Sequence, residues 1–164
     1  YICFLDIDDF WDKNMLLIKH NFISYEKDSD LIFTNYFKCN GNKLKKVVPI
    51  KIIPIKYQLK IHNPIGLLTS TVRKEFLKNH EFNCVNHEDY LFWAELIKNN
   101  PKIKIKHINQ ELAYYQVSKS SLSSNKFLAL KWHYFCYLKL GYRRLYALLS
   151  FIPLIIIKSL ISLK

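Results

Sequence analysis

The chain has 164 residues, with 25 lysines and arginines against 13 acids and a formal net charge of +12. Half of its residues are hydrophobic and it holds only 3 Gly and 5 Pro, which argues against extended disorder and supplies one domain's core. Cys3, Cys39, Cys84 and Cys136 lie far apart with no Cys-x-x-Cys pair. That spacing fits reduced thiols better than a zinc site or a disulfide-framed secreted fold.

Tyr1 to Leu5 is apolar almost throughout and reads as the end of a buried strand. It runs straight into Asp6-Ile7-Asp8-Asp9, followed by Phe10 and Trp11. Packing three carboxylates into one corner is unfavourable unless a positive group sits among them. A divalent cation with oxygen ligands is the usual answer; an acidic, solvated turn is the plainer one.

Asp12 to Tyr25 follows as a predicted helix capped by Asp12, with Met15, Ile18 and Phe22 on one face. Leu31 to Phe37 reads as a strand, closed by the turn signal Asn40-Gly41-Asn42. Residues 43 to 60 are lysine-rich and carry Pro49 and Pro54, which demotes any strand there to an edge or a loop. Ile65 to Val72 is predicted as a core strand leading into a short helix from Arg73 to His80. Glu88 to Asn99 is an amphipathic helix with Tyr90, Ala94 and Ile97 on one face. Lys102 to Ile108 and Leu112 to Val117 read as two further strands. The histidines at 62, 80, 107 and 133 show no metal-ligand spacing and read as surface or satisfied core residues.

The pattern changes from Lys126. Leu128, Trp132, Phe135 and Tyr142 fall roughly on one helical stripe broken at Gly141, and Leu145 to Leu163 is apolar apart from Tyr146, three serines and Lys158. Every acid lies at or before Glu111, whereas basic residues continue from Lys119 to Lys164. A basic, acid-free and apolar tail suits an anionic membrane surface at least as well as nucleic acid. Pro153 and Lys158 favour an interfacial helix over a full span, although the run is just long enough for a short one.

Three stretches, in order, carry a family resemblance. The frame from Phe4 to Trp11 resembles the metal-binding corner of family 2 glycosyltransferases, the GT-A enzymes that use nucleotide-activated sugars. His87-Glu88-Asp89-Tyr90-Leu91-Phe92-Trp93 looks like the Glu-Asp motif that opens a helix in that family. Tyr114 to Lys126 resembles the Tyr-Arg-x-Ser…Ser-x-Ser stretch of members that build bacterial surface polysaccharide and lipopolysaccharide. The resemblance implies an α/β fold of GT-A (nucleotide-diphospho-sugar transferase) type. It also implies that residues 1–126 are the C-terminal half of that domain, with the nucleotide-binding half lying outside this chain, and that 127–164 form a helical, membrane-associated tail.

The activity implied is metal-dependent, inverting transfer of a sugar from a nucleotide-sugar donor to a growing cell-surface glycan that is lipid-linked. Mg²⁺ or Mn²⁺ is the implied cofactor, held by Asp8 as the direct ligand and Asp6 toward the nucleotide or the metal's waters. Asp89 is the implied base, favoured as a carboxylate by the helix N-terminus. Trp11, Glu88, Ser70, Gln116 and Lys119 are candidate substrate contacts. Gln116 departs from the family's Arg and cannot clamp a diphosphate bidentately, a charge that Lys119 and Lys126 are placed to supply. The expected location is the cytoplasmic face of the inner membrane, peripheral or with a single short span, with the membrane surface and not nucleic acid as partner. The alternative is an inactive fragment or a membrane-docking accessory protein.

Overall fold

The computed structural model describes residues 1–50, 53–78, 80–82, 87–117 and 126–152. It is a mixed α/β structure centred on two long parallel strands, β3 (Leu31–Asn40) and β6 (Ile105–Gln116). On the free side of β3 lie β4 (Lys43–Val47) and β5 (Thr71–Val72), both antiparallel to it. β1 (Ile2–Cys3) pairs with β5 at one edge, and β2 (Phe10–Trp11) pairs with β6 at the other. Residues 4–9, the acidic corner, therefore carry the chain from one edge of the sheet to the other.

β6 is one strand where the sequence pattern suggested two. The ladder skips from Thr34 opposite Ile108 to Asn35 opposite Glu111, so Asn109 and Gln110 form a bulge. Asn35 is fully buried beneath it and explains how the bulge is tolerated. Its Nδ2 donates to Asn109 Oδ1 at 3.1 Å and Glu111 Oε1 at 3.0 Å, while its Oδ1 meets His107 Nε2 at 2.8 Å. Lys46, on β4, forms an ion pair with Glu111.

Residues 65 to 72 are not a core strand over their whole length. The hydroxyls of Thr69 and Ser70 donate back to Gly66 O and Leu67 O, each at 2.7 Å, and close a 3₁₀ turn over Leu67–Thr69. Only Thr71 and Val72 remain extended. The predicted helix after Arg73 is likewise a 3₁₀ turn, Lys74–Leu77. Tyr1 and Leu5 are largely exposed, so the opening strand is short and lies at an edge rather than in the core. The lysine-rich segment contains edge strand β4 and a short helix, α2 (Ile55–Gln58). Buried Gln58 holds its irregular backbone by donating to Ile50 O and Ile53 O and accepting from Ile50 N.

Helix α1 (Met15–Tyr25) begins later than predicted. Asp12 instead forms the turn ahead of it, its carboxylate accepting from Asn14 N at 2.8 Å and its carbonyl from Met15 N at 2.9 Å. Helix α3 (Glu88–Asn99) matches its predicted range and supplies much of the core through Tyr90, Leu91, Phe92, Trp93 and Leu96. Each such side chain contributes on the order of 1.5–3 kcal/mol by leaving water.

The C-terminal helices α4 (Lys126–Lys139) and α5 (Arg144–Leu149) join this same core. The predicted stripe through Leu128, Trp132, Phe135 and Tyr142 is not the buried one. His133, Cys136, Tyr137 and Leu140 face inward, while Phe135 and Tyr142 are exposed. The rotation follows from His133, whose ring stacks on Tyr90 of α3 with centroids 5.4 Å apart. Gly141, at φ +85°, stops α4, and Lys98 Nζ donates to Leu140 O at 2.7 Å. Among the described residues no helix is long and apolar enough to cross a membrane. Residues 153–164, most of the Leu145 to Leu163 run, lie outside them.

Candidate active site

The acidic corner is a turn, closed by Asp9 N donating to Asp6 O at 3.1 Å. Asp6 and Asp8 are exposed on it, but Asp9 is buried. Asp9 Oδ1 accepts from Gln116 N at 2.9 Å, which ties the corner to the end of β6, and its Oδ2 has no hydrogen-bond partner among the described residues. Burial pushes the Asp9 carboxyl up to about 6 against the pull of the Gln116 bond, and the neighbouring Asp8 and Asp6 add to the rise. Three carboxylates are thus close enough to repel one another.

Among the described residues, no three His, Cys, Asp or Glu side chains form a ready metal cage. A Mg²⁺-type ion that keeps waters and takes substrate phosphate needs only one or two carboxylates. The exposed Asp6 and Asp8, beside a buried carboxylate oxygen that lacks a donor, suit that mode of binding.

The second group sits at the start of α3. His87 precedes the helix at φ +62°, a left-handed conformation that non-glycine residues seldom adopt, and Glu88 and Asp89 occupy the first turn. Glu88 is exposed, whereas Asp89 is half-buried and doubly bonded: Oδ1 accepts from Tyr90 N at 2.8 Å and Oδ2 from Asn63 Nδ2 at 2.9 Å. Burial raises its proton affinity above that of an ordinary carboxylate. The Tyr90 N–H, the His87 ring and the Asn63 amide oppose the rise.

Two features bring the groups together. Asp6 and Glu88 line one cavity of about 410 Å³, with Cys3, Phe4, Leu5, Leu67 and Phe82 completing its walls. Phe4 makes edge contacts with Phe82, Phe92 and Trp93 at 5.6–6.1 Å, so the base of the corner is packed against α3. Tyr36 on β3 lies where Asp89 and Asp9 both act on it. Burial first, and then those two carboxylates, hold its phenol protonated far above the usual range. Gly66 makes room for this ring, since a Cβ there would stand 3.2 Å from Tyr36 Cε1.

The remaining predicted contacts divide. Trp11 is half-buried, its indole N–H donating to Leu68 O at 2.7 Å, with the Lys19 ammonium 5.9 Å from its ring centroid, so it packs into the framework. Ser70 is fully enclosed with its hydroxyl committed to Leu67 O, which makes it part of the cavity's support rather than its lining. Gln116 reaches the site through its backbone bond to Asp9. Lys119 lies outside the described residues. Sequence reasoning missed Tyr36, Asn63 and Gly66. Asn63-Pro64-Ile65-Gly66 carries a turn signal, but nothing in it announces a partner 26 positions away.

No family model matches the chain. Curated relatives do. The chain is 34% identical over 143 residues, 85% of its length, to an uncharacterized glycosyltransferase of Haemophilus influenzae. It is 34% identical over 134 residues, 80% of its length, to the Escherichia coli UDP-Glc:alpha-D-GlcNAc-diphosphoundecaprenol beta-1,3-glucosyltransferase WfgD. It is 31% identical over 134 residues to a second E. coli enzyme of that specificity, WfaP. The aligned regions cover 55%, 51% and 51% of these relatives, so the chain spans about half their length. The similarity supports a glycosyltransferase family for this chain.

Proposed function

We propose that this chain carries the metal-binding corner and the catalytic base of a GT-A glycosyltransferase of family 2, one that moves a sugar with inversion from a nucleotide donor to a lipid-linked glycan. The observation that carries the reading is the shared cavity, lined both by Asp6 of the corner and by Glu88 at the start of α3, the neighbour of Asp89 in sequence. The similarity to glucosyltransferases that act on GlcNAc-diphosphoundecaprenol supports the lipid-linked acceptor.

Asp8 and Asp6 would hold Mg²⁺ or Mn²⁺, which when bound supplies Lewis-acid stabilisation of the departing nucleoside diphosphate. Asp89 acts on the acceptor. As the acceptor oxygen bonds to the anomeric carbon and the bond from that carbon to the diphosphate breaks, Asp89 takes the hydroxyl proton. Its partial burial makes it a stronger base than a solvated carboxylate. Glu88, exposed at the cavity edge, is placed to accept hydrogen bonds from acceptor hydroxyls. Phe4, Leu5, Leu67 and Phe82 give the cavity apolar walls that limit water as a competing acceptor.

A membrane surface is the second partner in this reading. α5 follows Arg143 and begins with Arg144; Ala147 faces the core, while Leu145, Tyr146 and Leu148 are 65%, 62% and 52% exposed. Exposed apolar side chains flanked by arginines suit the headgroup zone of an anionic leaflet on the cytoplasmic side.

The test is transfer by the full-length protein, with radiolabelled UDP-glucose and GlcNAc-diphosphoundecaprenol as the first pair, since these substrates appear in the relatives' names. Label is expected in the lipid fraction, is lost with chelator and returns with Mg²⁺ or Mn²⁺. Binding to phosphatidylglycerol vesicles is measured alongside and is expected to weaken with Arg143→Ala/Arg144→Ala. Absence of transfer from every nucleotide sugar tried, in a folded full-length protein, would contradict the reading.

A further inference from the structure

Asp89 is gripped by a side chain from a distant segment. Asn63 Nδ2 donates to Asp89 Oδ2 at 2.9 Å, and Asn63 Oδ1 accepts from Ile65 N at 3.1 Å. The second bond decides the first. An amide presents an acceptor at one end and donors at the other, and the Ile65 N–H claims the acceptor in a turn stiffened by Pro64. The donor end of Asn63 therefore faces the carboxylate. Asp89's other oxygen is held by Tyr90 N, so the carboxylate is fixed in both rotation and direction.

We propose that Asn63 is the positioning residue of the catalytic base, a donor that holds Asp89 in its ionised form and fixes which of its lone pairs meets the acceptor hydroxyl. The inference rests on the reading of Asp89 as the base. A carboxylate moved into a half-buried site takes up a proton more readily, and a protonated Asp89 cannot accept another. A hydrogen bond donated to the charged form opposes that loss. Asn63 thus keeps the base usable at the pH where burial makes it strong.

Other groups act on Asp89 from the elements around it. The His87 ring ahead of α3 lowers its proton affinity. Tyr36 on β3 and Cys136 on α4 both feel its negative charge, and burial first, with that charge adding, keeps the Tyr36 phenol and the Cys136 thiol protonated, the latter pushed up to about 11. Asn63 and the backbone of α3 donate hydrogen bonds to the carboxylate.

The test compares single-turnover rates of the full-length wild type, Asn63→Ala and Asn63→Asp across pH 5 to 9, with donor affinity measured by calorimetry. Asn63→Asp keeps an oxygen for the Ile65 N–H, and so keeps the turn, but replaces the donor with an acid. The acid limb of the rate profile is expected to move up by about one pH unit, roughly tenfold in proton affinity, in Asn63→Ala and further in Asn63→Asp. Donor affinity is expected to stay at the wild-type value, and the shift is expected to persist in a His87→Asn background. If Asn63→Ala is slow but Asn63→Asp restores the rate with a wild-type acid limb, Asn63 only builds the turn and the inference is overturned. Asn63→Asp decides the matter alone if the alanine variant unfolds. Asp89→Asn is run in parallel: if it keeps near-wild-type turnover, the base assignment fails and takes the inference with it. If it is inactive while Asn63→Asp has an unchanged limb, only the inference fails.

Discussion

The two carboxylate groups of the candidate site are built in opposite ways. Asp6 and Asp8 stand exposed on a turn that crosses from one edge of the sheet to the other, and little but the turn itself holds them. Asp89 sits on a packed helix, half-buried and bonded at both oxygens. One residue type is thereby given two chemistries. In the proposed reading the exposed pair holds a cation, and the enclosed, oriented carboxylate exchanges a proton. Asp9 belongs to neither group, since it is buried, its proton affinity is raised and it bonds to the end of β6. It fastens the open group to the sheet.

The contrast predicts a graded set of losses. Asp8→Asn is expected to have the largest effect, abolishing sugar transfer at every metal concentration while the far-ultraviolet circular dichroism spectrum stays unchanged. Asp89→Asn comes next, lowering the single-turnover rate by about 10²-fold or more, the scale of a lost general base. Glu88→Gln should cost less, because in the proposed reading Glu88 contacts the acceptor without receiving its proton.

Phe4→Ala tests whether the open group depends on α3 for its place. The ring is half-buried against Phe82, Phe92 and Trp93, so its removal should cost about 2 kcal/mol in urea unfolding, below the ~3–5 of a fully buried ring. Transfer should fall by more than stability alone explains, since the corner loses its anchor. A variant with wild-type transfer would uncouple the two groups.

The smallest expected effect concerns Lys19, which lies 2% exposed near the Trp11 ring with its ammonium donating to Thr71 Oγ1 at 2.8 Å. Burial lowers its proton affinity to about 8, so above that pH the folded state binds fewer protons there than the unfolded state. Its contribution to stability therefore rises with pH, from about 8 toward the ordinary lysine value of about 10.4, and is unfavourable below that window. Relative to wild type, Lys19→Met should lack this rise between pH 8 and 9.5 in thermal unfolding scans. Parallel stability curves for the two proteins would mean that Lys19 is solvated in solution.

The parts legible from the sequence were those with a strong local period or a chemically unusual cluster. Glu88–Asn99 shows a helical stripe and an acidic first turn, and its predicted bounds match the structure. The Asp6-Ile7-Asp8-Asp9 corner announces itself because like charges seldom crowd without cause. What was not legible depends on long-range partners. The split of β6 into two predicted strands came from Asn109-Gln110, polar residues that look like a loop until Asn35 is brought beneath them by β3. The face of α4 was misjudged because His133 reads as polar, whereas the ring of Tyr90 gives it a buried stacking partner. Residues 65–70 look like a strand by composition, yet Thr69 and Ser70 spend their hydroxyls on closing turns. Asn63 was invisible as a site residue for the same reason, since its partner Asp89 is local only in the fold.

The most direct measurement is calorimetric titration of nucleotide sugar into full-length Asp8→Asn and Asp89→Asn, each with Mg²⁺ and with chelator. The account predicts a separation. Asp89→Asn binds donor as wild type does and only with metal, whereas Asp8→Asn binds weakly and is indifferent to metal. Equal, metal-independent donor affinity in both variants and the wild type would contradict the division of labour between the open and the enclosed carboxylates.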